Sequence, residues 1–96
     1  MKKVLVTGSA GFIGFHTVKR LAAGGCEITG IDNINDYYTP ELKYLRLAEC
    51  GIPGNEIEEF KPVLSRTIPG YTFIKLDLKD REKTAELFSS HSFDLV

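Results

Sequence analysis

The chain opens on a continuous apolar, β-branched run, Val4, Leu5, Val6 and Thr7, which stops at Gly8. Such a run, with no alternation, is the composition of a strand buried on both faces. The period then changes. Thr17, Val18, Leu21 and Ala22 fall on one face of a 3.6-residue helix, while His16, Lys19 and Arg20 fall on the other, as in a helix laid over a sheet. Gly24 and Gly25 stop that helix, and a second strand, residues 27–31, runs directly into Asp32. Thr39 as N-cap, Pro40 at the first helical position and Glu41 in the first turn begin a second helix. Its apolar side is read as Tyr44, Leu45, Leu47 and Ala48, its polar side as Lys43, Arg46 and Glu49, and its role as scaffold. Gly51 and Pro53 end it.

Between Gly51 and Gly70 the periodicity fails. Three prolines, three glycines and mixed charges predict a surface excursion with one short helical turn around Glu56 to Phe60, either a tolerated insertion or a lid or partner contact. Order returns with a third strand, residues 71–76, ending at Asp77 and Leu78. Asp80 caps a third helix whose Thr84, Leu87, Phe88 and His91 share a face, and Phe93, Asp94, Leu95 and Val96 open another buried strand. The alternation predicts an α/β fold, the first half of a doubly wound parallel sheet: three strands plus the start of a fourth. A fourth strand in such a sheet lies beyond the first and opens the ligand crevice. Residues 1–96 are therefore expected to be the incomplete N-terminal part of a dinucleotide-binding domain, a fragment of a longer polypeptide whose catalytic chemistry lies elsewhere.

Length and charge narrow the function classes. At 96 residues and a net charge of −1 the chain is at most one domain, with no basic stripe for nucleic acid. No apolar run approaches the roughly twenty residues of a membrane span, and no signal-peptide pattern precedes the first strand, so a cytoplasmic protein is expected. Cys26 and Cys50 lack metal-ligand spacing and are expected to be reduced, partly buried thiols; no metal site is predicted. His16 and His91 carry no functional expectation.

The chemistry concentrates in two places. Gly8, Gly11 and Gly14 lie between the first strand and the first helix, the arrangement that leaves a helix N-terminus open to an anion. The first glycine can take the positive φ of the turn, the second lets backbone approach a phosphate, and the third lets the helix pack close to the sheet. Asp32 ends the second strand at the spacing expected of a dinucleotide site, about twenty residues past the glycines. The polar and aromatic loop that follows it, Asn33 to Tyr38, overlies the strand ends. Asp77, at the neighbouring strand end, can accept hydrogen bonds from an adenine amino group, and a plain turn residue would look the same. A free ribose 2′-hydroxyl would give Asp32 a charge-assisted bond of roughly 1.5–3 kcal/mol, whereas a 2′-phosphate would meet a like charge. With no Lys or Arg among residues 8–14 or just after Asp32, NAD is expected over NADP.

The segment Thr7-Gly8-Ser9-Ala10-Gly11-Phe12-Ile13-Gly14 resembles the TGxxGFIG signature of the extended short-chain dehydrogenase/reductases. Gly30-Ile31-Asp32-Asn33-Ile34-Asn35-Asp36-Tyr37-Tyr38, with Leu42-Lys43 and Arg46-Leu47, is similar to the nucleotide-sugar epimerases, above all the UDP-glucuronate 4-epimerases. The similarity covers residues 1–50 and 71–96 and departs between Gly51 and Gly70. It implies a Rossmann-type domain that binds NAD. The amides around Ser9, Ala10, Phe12 and Ile13 would face the pyrophosphate, Asp32 would take both adenosine ribose hydroxyls, Asn33 and Asn35 would border the adenosine, and Asp77 and Leu78 would hold the adenine. It also implies a full-length isomerase that epimerises a UDP-sugar at C4 through a 4-keto form and works as a homodimer. No catalytic residue is carried over: the family's Ser/Thr and Tyr-x-x-x-Lys lie downstream, and four residues after Tyr37 and Tyr38 stand Glu41 and Leu42. A related dehydratase or decarboxylase, or a non-catalytic dinucleotide sensor, remains the alternative.

Overall fold

A computed structural model describes residues 2–34, 40–77, 79–90 and 93. The elements alternate as β1 (Lys3–Thr7), α1 (Phe12–Ala23), β2 (Glu27–Asp32), α2 (Pro40–Glu49), β3 (Val63–Leu64), β4 (Tyr71–Lys75) and α3 (Arg81–Ser90). The sheet order is β1-β2-β4-β3, with β1, β2 and β4 parallel. This is the first half of a doubly wound sheet, as the alternation predicts. The cap at Thr39, His91, and residues 94–96 of the expected fourth strand lie outside the described residues.

Strand alternation sorts the core into two layers. Val4, Val6, Ile28, Tyr71 and Phe73 point to one face, where they meet Phe15 and Val18 of α1 and Leu47 of α2. Leu5, Ile31, Ile74 and Leu76 point to the other and meet Leu87 of α3. Burying each such side chain contributes about 1.5–3 kcal/mol, so helices on both faces are what hold the three parallel strands flat enough to present their C-terminal ends together. In α1 the inward positions are Phe15 and Val18; Thr17 and Leu21 are only half-buried and turn toward the outer flank of β1.

The excursion from Gly51 to Gly70 is more structured than its composition suggests. Its one helical turn is a 3-10 turn at Gly54–Glu56, slightly earlier than expected, and β3 pairs antiparallel with β4, Val63 opposite Phe73. Ser65 holds the segment together. Its hydroxyl donates to Cys50 O at 2.6 Å and accepts from the amides of Thr67 and Ile68 at 3.2 and 2.9 Å. The segment thus covers the edge of β4 that would otherwise expose unpaired backbone.

The α2 helix ends with the amides of Gly51 and Ile52 on the carbonyls of Ala48 and Leu47, a closed C-terminal turn. Asp80 caps α3 as predicted, accepting the Lys83 amide at 3.1 Å. Cys26 and Cys50 are free thiols, and burial pushes the Cys50 thiol up. Among the described residues no helix is long and apolar enough to cross a membrane and no His/Cys/Asp/Glu group could hold a metal ion.

Candidate functional site

The site forms where β1 gives way to α1. Gly8 takes φ +65, and its carbonyl accepts the Gly11 amide at 2.9 Å, which closes the turn. Gly11 is the N-cap of α1 and has no side chain to cap it; Phe15 is the first residue whose amide pairs back, to Gly11 O at 2.8 Å. Among the described residues the amides of Phe12, Ile13 and Gly14 are therefore the orphaned donors of the helix start, and no acidic residue occupies that first turn. Gly14 is required by space. A Cβ there would stand 2.1 Å from Gly8 O, so the third glycine lets the helix start lie against the carbonyl of the residue that directly follows β1. At Gly11 the same carbonyl would be 3.2 Å away.

Ser9 and Ala10, grouped by the sequence with the phosphate-facing amides, are engaged inside the protein. The Ser9 amide donates to Ile31 O at 3.1 Å, and the Ala10 amide donates to Asp32 Oδ2 at 3.1 Å. Both residues are buried. The Ser9 hydroxyl packs over Gly30 beside the phenol of Tyr71, and neither hydroxyl reaches a hydrogen-bond partner among the described residues. Burial pushes the Tyr71 phenol up. The open donors of the loop are thus those of the helix start.

Asp32 is 5 % exposed and is held on both oxygens. Its Oδ2 takes the Ala10 amide; its Oδ1 accepts the Ile34 amide at 2.8 Å and the Lys43 ammonium at 3.0 Å. Ile34, a β-branched residue, sits at φ +49, a conformation that costs about 1–3 kcal/mol and that the Asp32 bond and its own burial hold in place. The carboxylate therefore ties the glycine loop, the end of β2 and α2 to one point.

Lys43 and Arg46 are what the sequence pattern does not show. It places both on the outer side of α2, yet the inward stripe is Lys43, Leu47 and Cys50, with Arg46 half-buried, while Leu42, Tyr44 and Leu45 are exposed. Arg46 Nη1 donates to Ala10 O at 3.3 Å, so α2 carries one cation to the loop and another, Lys43, to Asp32, and is more than scaffold. A signal for this exists in the sequence. Positions 43, 47 and 50 share a helix face, and a lysine in register with a leucine and a buried cysteine points at something anionic.

Two cavities flank the tip of β1 and share Thr7 and Gly8. One, of about 370 Å³, lies over the ends of β2 and β4 and is lined by Asp32, Asn33, Lys43, Leu76, Asp77 and Lys79. The other, of about 700 Å³, is mostly the uncovered outer flank of β1, with Val4, Leu5, Val6 and Leu21 as its floor; only its mouth, at Gly11, Phe12 and Ile13, belongs to the loop. Asp32, Asn33 and Asp77 are thus brought together, as the sequence expects. Asp77 Oδ1 accepts the Lys79 amide at 2.9 Å. Asn35 and Leu78 lie outside the described residues.

Residues 4–96 match the NAD dependent epimerase/dehydratase family. The chain belongs to that family. An uncharacterized 37.6 kDa protein of Escherichia coli O111:H- is 46 % identical over 94 residues, covering 98 % of this chain and 23 % of that protein. UDP-glucuronate 4-epimerase 4 of Arabidopsis thaliana is 38 % identical over 93 residues, covering 97 % of this chain and 18 % of the relative. The crystal structure of UDP-glucuronic acid 4-epimerase from Bacillus cereus, in complex with UDP-glucuronic acid and NAD, superposes with a TM-score of 0.61 at 25 % identity, over 92 % of this chain and 23 % of that one. The chain spans about a quarter or less of the length of these relatives. As a member of an NAD-dependent family, it has residues that fit the dinucleotide: three amides at a helix start that pair with none of the described residues, a glycine whose Cβ would meet the loop's carbonyl, and a carboxylate lining the adjoining polar cavity.

Proposed function

We propose that the protein is an NAD-dependent nucleotide-sugar epimerase acting at C4 of UDP-glucuronate, and that these residues hold the adenosine and pyrophosphate portion of NAD. The observation that carries the reading is the pairing of the open amides of Phe12, Ile13 and Gly14 with a polar cavity that starts at Gly8 and contains Asp32. The similarity to UDP-glucuronate 4-epimerases supports the substrate.

In this reading the helix-start amides of Phe12, Ile13 and Gly14 receive the pyrophosphate, with Gly8 and Gly11 keeping the approach free of side chains. Ser9 and Ala10 act from behind: their amides fix the loop to β2. Asp32 orients the adenosine ribose, Asn33 and Asn35 border it, and Asp77 and Leu78 receive the adenine. Bound NAD supplies a reversible hydride acceptor for the sugar C4. The groups that move the hydroxyl proton lie outside these residues, and the full-length enzyme works as a cytoplasmic homodimer.

Incubating the full-length protein with UDP-glucuronate should give UDP-galacturonate without loss of mass. A dehydrated or decarboxylated product would move the assignment to the family's other chemistry. NAD binding with no turnover of any UDP-sugar would favour a dinucleotide sensor.

A further inference from the structure

We propose that Lys43 sets the cofactor selectivity of the adenosine cavity, making it tolerant of a phosphate at the ribose 2′ position. The proposal rests on the dinucleotide reading above and extends it to a residue on α2.

A carboxylate offers about four acceptor positions, two on each oxygen. At Asp32, groups among the described residues fill three: Oδ1 takes the Ile34 amide and Lys43 Nζ, Oδ2 the Ala10 amide. Among the described residues one position on Oδ2 remains, too few for Asp32 to accept both hydroxyls of a ribose by itself. The Lys43 ammonium has three N–H donors, and one is spent on Asp32. Among the described residues the pair thus keeps one acceptor and two donors unspent, beside a cavity that both residues line. A vicinal diol can satisfy that set by donating one hydroxyl to Asp32 and accepting from Lys43.

The same set changes how a 2′-phosphate is received. Asp32 alone would repel it, but the side chains of Asp32 and Lys43 are 3 % and 16 % exposed and 3.0 Å apart, so the pair is neutral at short range. Lys43 then offers charge-assisted donors to a 2′-phosphate in that cavity, and Lys79 lines it too, from the loop before α3. The cation reaches Asp32 from eleven residues further along the chain. For that reason, inspection of the residues just after the carboxylate does not find it.

The test uses the full-length protein, with 5′-AMP and adenosine 2′,5′-bisphosphate competing against NAD. In the unsubstituted protein the bisphosphate should bind within about thirtyfold of 5′-AMP, and the gap should widen as salt is added. Lys43→Met should widen the gap by about tenfold or more, and Lys43→Arg should keep it within about threefold of the starting value. A gap above about thirtyfold in the unsubstituted protein, or one that Lys43→Met leaves within about twofold, would overturn the proposal. Should Lys43→Met fail to fold in a thermal melt, the unsubstituted gap and its salt dependence decide: a gap indifferent to salt counts against Lys43. Absence of binding by NAD and 5′-AMP alike would instead overturn the dinucleotide reading itself.

Discussion

Ser9 lies over Gly30: a Cβ built on Gly30 would stand 2.7 Å from Ser9 Oγ and 2.8 Å from Ser9 Cβ, with Tyr71 Cε1 at 2.9 Å. The glycine loop is thus seated by a gap in β2 as well as by its own glycines. Gly30→Ala should lower stability by about 1–3 kcal/mol, because the new methyl must push the loop or Tyr71 aside. Ser9→Gly should recover part of that loss in the double variant, since it removes one of the two obstacles. A thermal-melt double-mutant cycle measures the coupling; strict additivity would show that the loop is not seated there.

The two later glycines of the loop should rank differently. Gly14→Ala places a methyl 2.1 Å from a backbone carbonyl that cannot rotate away, whereas Gly11→Ala meets the same oxygen at 3.2 Å. Gly14→Ala is expected to cost at least about 2 kcal/mol more and to abolish NAD binding. Titration of NAD onto each folded variant checks the order.

Asp32→Ala should be the most damaging single change at the site. It strips the Ala10 and Ile34 amides and the Lys43 ammonium of their shared acceptor at once. A loss of about 3–5 kcal/mol follows from leaving a mostly buried cation and two amides unpaired. Denaturant unfolding measures it, and a loss below about 1 kcal/mol would mean that the carboxylate serves only the ligand.

Alkaline pH should destabilise the fold through Tyr71 and Cys50. Burial raises both groups above their ordinary values of 10.0 and 9.0, so the unfolded chain ionises first. Stability is therefore full below about pH 9 and falls as pH rises past each unfolded value toward the higher folded one. Tyr71→Phe removes a hydroxyl with no partner among the described residues as well as a titrating group. It should leave stability at pH 7 within about 1 kcal/mol and flatten the decline above pH 10, read from melting temperature against pH.

The parallel core was legible because its strands are largely buried on both faces, so Val4 to Thr7 read as a continuous β-branched run and residues 71–76 as a strand rich in aromatic and β-branched positions. Asp32 was legible because its place depends only on where β2 ends. The inward face of α2 was not. Its buried stripe carries Lys43 beside Leu47, and apolar Leu42, Tyr44 and Leu45 point outward, so hydrophobicity alone selects the wrong face. The edge strand β3 escaped because two residues between prolines carry no period. The commitment of the Ser9 and Ala10 amides could not be read either, since it depends on how closely the loop approaches β2.

The most direct measurement is an NAD titration followed by backbone amide shifts. The amides of Phe12, Ile13 and Gly14 should move on binding, together with those of Asp32 and Asn33, while the Ser9 and Ala10 amides stay protected from hydrogen exchange before and after. Saturable binding that leaves Phe12, Ile13 and Gly14 unmoved would contradict a pyrophosphate seat at the start of α1.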